Sequence, residues 1–164
     1  MDKLLQLLSE NSSFSVEELS SMLGEPEEYI AAQIKEYENR GIIRGYRAVV
    51  NWDEVPGSGV EALIELKVAP QKQKGFDEIA ERIMLFDEVE SVYLMAGSYD
   101  LLLSVKGETI QDVSAFVSKK LSALEGILAT ATHFMLRRYK ENGVLSWIST
   151  AKKTEGKWAF DELF

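Results

Sequence analysis

Through the first fifty residues the apolar positions recur at helical spacing. Leu4, Leu5 and Leu8 form one stripe over residues 2–10, which stops in Asn11-Ser12-Ser13. Ser15-Val16-Glu17-Glu18 is a capping box opening a second short helix, in which Leu19, Met22 and Leu23 face inward and which Gly24 ends. A third helix begins at Pro26, which suits a first helical turn, buries Ile30, Ile34 and Tyr37, and ends at Gly41. Gly24-Glu25 is then the tight turn of a helix-turn-helix. A short strand over 42–50 follows, and the Pro, Gly and Ser content of 51–59 reads as a linker. This gives a winged, three-helix unit over 1–50.

After residue 59 the period changes. Val60, Ala62, Ile64, Leu66 and Val68 alternate with mostly polar residues, as a half-buried strand requires. Phe76, Ile79, Ala80, Ile83 and Phe86 then give a helix, 89–96 and 99–105 two strands joined by a tight Gly97-Ser98 connection, and 127–139 a last strand. Between the third and fourth strands, Thr109-Ile110-Gln111-Asp112 is a capping box with Asp in place of Glu, starting a helix that buries Ile110, Val113, Phe116, Val117, Leu121 and Leu124 before Gly126. The order βαββαβ, closed by right-handed crossovers, predicts an α+β ferredoxin-like domain over 60–140, a four-stranded antiparallel sheet with both helices on one face. Its open face and edges need cover, which predicts sheet-to-sheet dimerisation. Residues 141–164 form an extension whose Trp147, Trp158, Phe160 and Phe164 point to a short added strand or helix rather than a solvated tail.

Composition narrows the chemistry. Of 164 residues 46% are hydrophobic and 27% charged, which marks a globular chain. No apolar run reaches membrane-spanning length and the start lacks the pattern of a secretion signal, so a soluble, unprocessed, cytoplasmic protein is expected. The absence of cysteine removes disulfides, thiolate catalysis and Cys-ligated zinc, and the single histidine, His133, provides no His cluster, so no metal or cofactor is expected. Paired carboxylates, a phosphate-cradling glycine loop and a nucleophile elbow are also missing, which disfavours an enzyme.

The loop at residues 97–100 admits two readings. Gly97 can serve a turn that needs positive φ while Asp100 caps it. The same residues also offer backbone N–H groups to a carboxylate and an anion to an ammonium group, the two needs of a free amino acid.

In this order and context, Gly41-Ile42-Ile43-Arg44-Gly45-Tyr46, Ala96-Gly97-Ser98-Tyr99-Asp100-Leu101-Leu102-Leu103 and Thr130-Ala131-Thr132 resemble the Lrp/AsnC family of leucine-responsive transcriptional regulators over residues 1–140. The resemblance implies a homodimer assembling into an octamer or related ring, with a small effector, usually an amino acid, bound where dimers meet. It implies an effector site of Ala96, Gly97, Ser98, Tyr99 and Asp100, completed by the hydroxyls of Thr130 and Thr132, which share one strand face. Tetrapyrrole decarboxylases share the two-domain architecture, but they look to basic and histidine residues for carboxylate binding and proton transfer, and this chain has a single histidine.

A helix-turn-helix sets its second helix in the major groove of double-stranded DNA. Outward positions there include Glu27, Glu28, Tyr29, Ala31, Ala32, Gln33 and Lys35, whereas the family usually presents serines, threonines and an arginine pair around Ala32 and Gln33. Tyr29 and Gln33 are candidate base contacts, and Lys35, Arg40, Arg44 and Arg47 candidate phosphate contacts. Charge opposes the assignment. Residues 1–58 hold 5 Lys/Arg against 11 Asp/Glu and residues 59–164 hold 13 against 16, so the segments carry −6 and −3 of the total −9. Phosphate neutralisation supplies most non-specific affinity, so the acidic half should bind DNA weakly unless dimer avidity and the arginines compensate. Two functions follow: an amino-acid-responsive DNA-binding regulator, or an oligomeric sensor or assembly protein of the same architecture that has lost DNA binding.

Overall fold

The computed structural model describes residues 2–69 and 75–146 and, beyond them, the backbone of two short strands, Lys152–Thr154 and Lys157–Ala159, which pair antiparallel. The chain divides into two units, Met1–Val50 with Lys140–Phe164, and Asn51–Tyr139. The side chains of Trp147, Trp158, Phe160 and Phe164 lie outside the described residues.

In the first unit, α1 (Lys3–Glu10), α2 (Val16–Leu23) and α3 (Glu27–Asn39) close around Leu4, Leu19 and Ile30, flanked by Leu7, Leu8, Phe14, Val16, Leu23, Ile34 and Tyr37. Local chemistry sets each end. Asp2 caps α1, Ser15 and Glu18 form a reciprocal capping box on α2, and Gly24 closes α2 at φ +72, a conformation that costs glycine little. Pro26 stands just outside α3 as its N-cap rather than in its first turn. The hydroxyl of Tyr37 donates to Asp2 Oδ2 at 2.6 Å and ties α3 to the start of α1. That hydrogen bond, with the N–H of Leu5, holds the Asp2 carboxyl below its ordinary range. Met22, expected to face inward with Leu19 and Leu23, is 52% exposed.

The strand expected over 42–50 does not form, so no wing strand follows the three helices; the short described strands of this unit, Lys140–Glu141 with Val144–Leu145 and Lys152–Thr154 with Lys157–Ala159, pair with each other. A strand persists only by exchanging hydrogen bonds with a neighbour, and no described segment pairs with this one. Ile42 and Ile43 instead return their N–H groups to the carbonyl of Tyr37, and most of the segment is exposed.

In the second unit the elements are β1 (Val60–Val68), α4 (Asp77–Ile83), β2 (Val89–Leu94), β3 (Leu101–Gly107), α5 (Ile110–Phe116), running on as a π-turn over Val117–Leu121, and β4 (Ile127–Phe134). The sheet order is β2-β3-β1-β4 with every neighbour antiparallel, the ferredoxin-like arrangement. Period-two alternation sends Ala62, Ile64, Leu66 and Val68 of β1 and Leu101, Leu103 and Val105 of β3 to one face. Ile79, Ile83, Val113, Phe116 and Leu121 cover that face, which places both helices on the same side. Thr109 and Asp112 form the expected capping box on α5, but Ile110, expected to be buried, is 50% exposed. The last strand ends at Phe134, five residues short of expectation. Within residues 51–59, Trp52–Glu54 is a 3-10 turn, and a Cβ on Gly59 (φ +80) would sit 2.5 Å from the Gly107 carbonyl oxygen.

The open face of this sheet is not uniformly apolar. Glu61 accepts from Ser104 Oγ at 2.9 Å and pairs with Arg138, whose side chain is 11% exposed and also lies 3.8 Å from Asp53. His133 Nε2 is 3.5 Å from Glu65 on the same face, and Leu63 and Tyr93 are exposed there.

Candidate functional site

Two surfaces carry the predicted site residues, one in each unit. The first is α3. Ile30, Ile34 and Tyr37 point inward, and the advance of about 100° per residue then makes Glu28, Ala32, Lys35 and Asn39 the outermost stripe. All four are exposed. Tyr29 is exposed on one flank, while Gln33 is half-buried at the edge of the packed stripe and so is less available than its polarity suggests. Arg40 is held by Glu36 at 3.1 Å, one turn back. Arg44 donates from Nε to the carbonyl of Gly41 at 3.2 Å, and Tyr46 donates from its hydroxyl to Glu38 at 2.9 Å. Burial, and then this bond, raise the Tyr46 pKa. Arg47 is exposed. The arginines therefore lie beyond the C-terminal end of α3, partly offset by Glu36 and Glu38, Lys35 stands within the helix, and its N-terminal half presents carboxylates.

The second surface is the loop of residues 95–100 between β2 and β3. It is wider than the tight two-residue connection expected. Ala96, Gly97 and Ser98 are exposed and Tyr99 and Asp100 half-buried. The loop is anchored through its last residue. Asp100 donates its N–H to the Leu66 carbonyl at 2.9 Å, its own carbonyl accepts from Met95 N–H at 2.8 Å, and its Oδ2 accepts from Val68 N–H at 2.8 Å. The side chain thus takes the place of a ladder partner where β1 outruns β3. Gly97 does not have positive φ, which removes the conformational reason for glycine expected at that position. A Cβ there would meet nothing within 4 Å.

Thr130 and Thr132 do share one face, but it is the helix-covered one. Their cross-strand partners are Leu66 and Ile64, both in the core. Leu66 stands between Leu101 of β3 and Thr130 of β4, so the threonines and the loop are separated by two strand spacings, about 10 Å. One copy of the chain does not bring them together in a single cradle. His133 projects to the opposite face from the threonines, opposite Leu63. Among the described residues no group of three or more acidic or histidine side chains is placed to hold a metal ion, and no helix is long and apolar enough to cross a membrane.

Comparison with known proteins shows what the whole chain is similar to. Residues 61–145 match the family described as the Lrp/AsnC ligand binding domain. An uncharacterised HTH-type transcriptional regulator of Bacillus subtilis, YugG, is 44% identical over 142 residues, 86% of each chain. A proline dehydrogenase transcriptional activator of Rhizobium radiobacter is 30% identical across 87% of this chain and 90% of its own length. Among solved structures, a transcriptional regulator of Neisseria meningitidis in complex with L-Met superimposes with a TM-score of 0.67 at 27% identity, covering 86% of this chain and 93% of that one.

Proposed function

Because this chain belongs to the Lrp/AsnC family of HTH-type transcriptional regulators, we propose that it is a cytoplasmic, non-enzymatic DNA-binding regulator whose sheet domain responds to a free amino acid. The observation that carries the effector reading is the loop of residues 95–100. Its position is fixed through Asp100, while Gly97 has neither a conformational nor a packing reason to lack a side chain within this chain. Open space beside fixed backbone N–H groups suits the close approach of a carboxylate. The free carboxylate oxygen of Asp100 lies within the same loop for the ammonium group. The Neisseria relative in complex with L-Met supports the ligand class.

Completion of the site requires a second copy. Thr130 and Thr132 lie too far from the loop within one chain, and Leu63 and Tyr93 stand exposed on the open sheet face. In this reading the chain forms a homodimer across its sheets, dimers assemble to an octamer or related ring, and the effector binds where they meet. Titration calorimetry of the full chain against the L-amino acids, with light scattering on the same samples, tests it. Saturable binding accompanied by a change in assembly is the expected result, and heat-free titrations with every amino acid overturn it.

The charge of the helix-turn-helix favours a second reading, a sensor that has lost DNA binding, since residues 1–58 carry 5 Lys/Arg against 11 Asp/Glu. Binding to the DNA upstream of its own gene, measured across salt, separates the two. Affinity falling steeply with salt is expected of the regulator; no binding at low salt identifies the sensor.

A further inference from the structure

The outward stripe of α3 holds a carboxylate where a DNA-reading helix ordinarily profits from polar or basic groups. Glu28 is exposed, and among the described residues it has no hydrogen bond or ion pair. Its negative charge repels phosphates, so it detracts from non-specific affinity. The chemistry of base edges gives it one favourable partner. A carboxylate only accepts hydrogen bonds, and in the major groove only the exocyclic amino groups of cytosine and adenine donate. Adenine sets the N7 acceptor of its own ring beside its donor, in addition to the acceptor of the paired thymine, and N7 repels a carboxylate; cytosine carries only a C–H on that side.

The rest of the stripe permits this contact. Ala32, one turn on, carries only a methyl group, so the helix can lie close to the base edges. Lys35 lies on the same stripe about 10 Å along the axis from Glu28, at 1.5 Å per residue. A lysine ammonium is suited to the O6 and N7 acceptors of guanine.

Resting on the DNA-binding reading above, we propose that Glu28 is the specificity-determining residue of α3, accepting from the amino group of a cytosine, with Lys35 on a guanine farther along the groove. The acidic character of the first turn then has a functional consequence: it lowers general affinity and sharpens discrimination. A purely structural role for Glu28, complementing the positive end of the helix, would alter melting but leave base preference untouched.

The test is selection of binding sites from a randomised DNA duplex library at about 50 mM salt, using the full chain and its E28Q, E28A and K35A variants, with circular dichroism melting on each. The parent is expected to discriminate for cytosine at one position of each half-site by about tenfold or more, as for a single good base contact. In E28Q the same position should change to adenine, which a side-chain amide matches bidentately. In E28A it should lose its preference while affinity for unselected DNA rises, and in K35A only the guanine position should relax. An unchanged sequence preference in E28Q and E28A overturns the inference and leaves DNA binding standing. Failure of the parent to retain any duplex overturns the DNA-binding reading and the inference with it.

Discussion

Replacing Asp100 by alanine removes a carboxylate that the fold uses, so its effect on stability is calculable. Asp100 Oδ2 accepts from Val68 N–H at 2.8 Å in a half-buried setting. A hydrogen bond to a charged group contributes about 1.5–3 kcal/mol, and partial solvent access at the sheet end places this one near the lower figure. Asp100→Ala should therefore destabilise the sheet domain by about 1.5 kcal/mol, because Val68 N–H is left with water as its only recourse. Asp100→Asn keeps an oxygen acceptor in the same place but not the charge, so it should cost about 0.5–1 kcal/mol. Amide hydrogen exchange at Val68 reports the bond directly, and urea unfolding gives the total. Exchange should accelerate most in the alanine variant, by about tenfold, since 1.4 kcal/mol is one decade, and little in the asparagine variant. If Val68 exchanges at the parent rate in Asp100→Ala, the carboxylate does not support β1 and its role lies wholly with the ligand. If Asp100→Asn keeps near-parental exchange yet loses amino-acid affinity on the order of 2 kcal/mol, the fold contact and the ammonium contact are separated within one side chain.

Gly97→Ala should leave melting unchanged, since φ is not positive and the Cβ site is open, while weakening effector binding; a loss of melting temperature of several degrees would show that the loop itself requires glycine. Arg44→Ala and Arg47→Ala should each weaken binding to all DNA sequences alike and lower the salt slope by about one, and loss of discrimination without that flattening would reassign them to base reading. The helix-turn-helix should lose stability in acid through Asp2. Its folded pKa is depressed, first by the Tyr37 hydroxyl and then by Leu5 N–H. The contribution is therefore present above the ordinary carboxyl value of 3.8 and fades as pH falls below it. Tyr37→Phe should bring the Asp2 titration back toward that value in NMR, and an unmoved titration would refute the contact.

Much of this molecule was legible in its residues because the governing interactions are local. The Ser15–Glu18 and Thr109–Asp112 boxes and the Gly24 cap act over three or four positions, so sequence alone located the helix starts and stops. Alternation along β1 matched the observed burial residue for residue at Ala62, Ile64, Leu66 and Val68, and the βαββαβ order with right-handed crossovers gave an antiparallel four-stranded sheet with both helices on one face. The exposed face of α3 followed from the helical repeat once Ile30, Ile34 and Tyr37 were recognised as packed inward, except at Gln33, whose position reads as outward but which is half-buried.

What the sequence left open depends on groups that meet across long separations. Whether 42–50 pairs as a strand is decided by the presence of a neighbour, not by its own β-propensity. The acceptor role of Asp100 rests on Val68, 32 residues earlier, and the Glu61 cluster on Ser104 and Arg138, 43 and 77 residues later. Thr130 and Thr132 were recognisable as sharing a face, but only the register of β4 on β1 determined which one. A shift of one residue would turn both to the open side. Gly97 shows the same division: its sequence context reads as a turn glycine, and only the backbone angles of the folded loop reveal that no turn requires it.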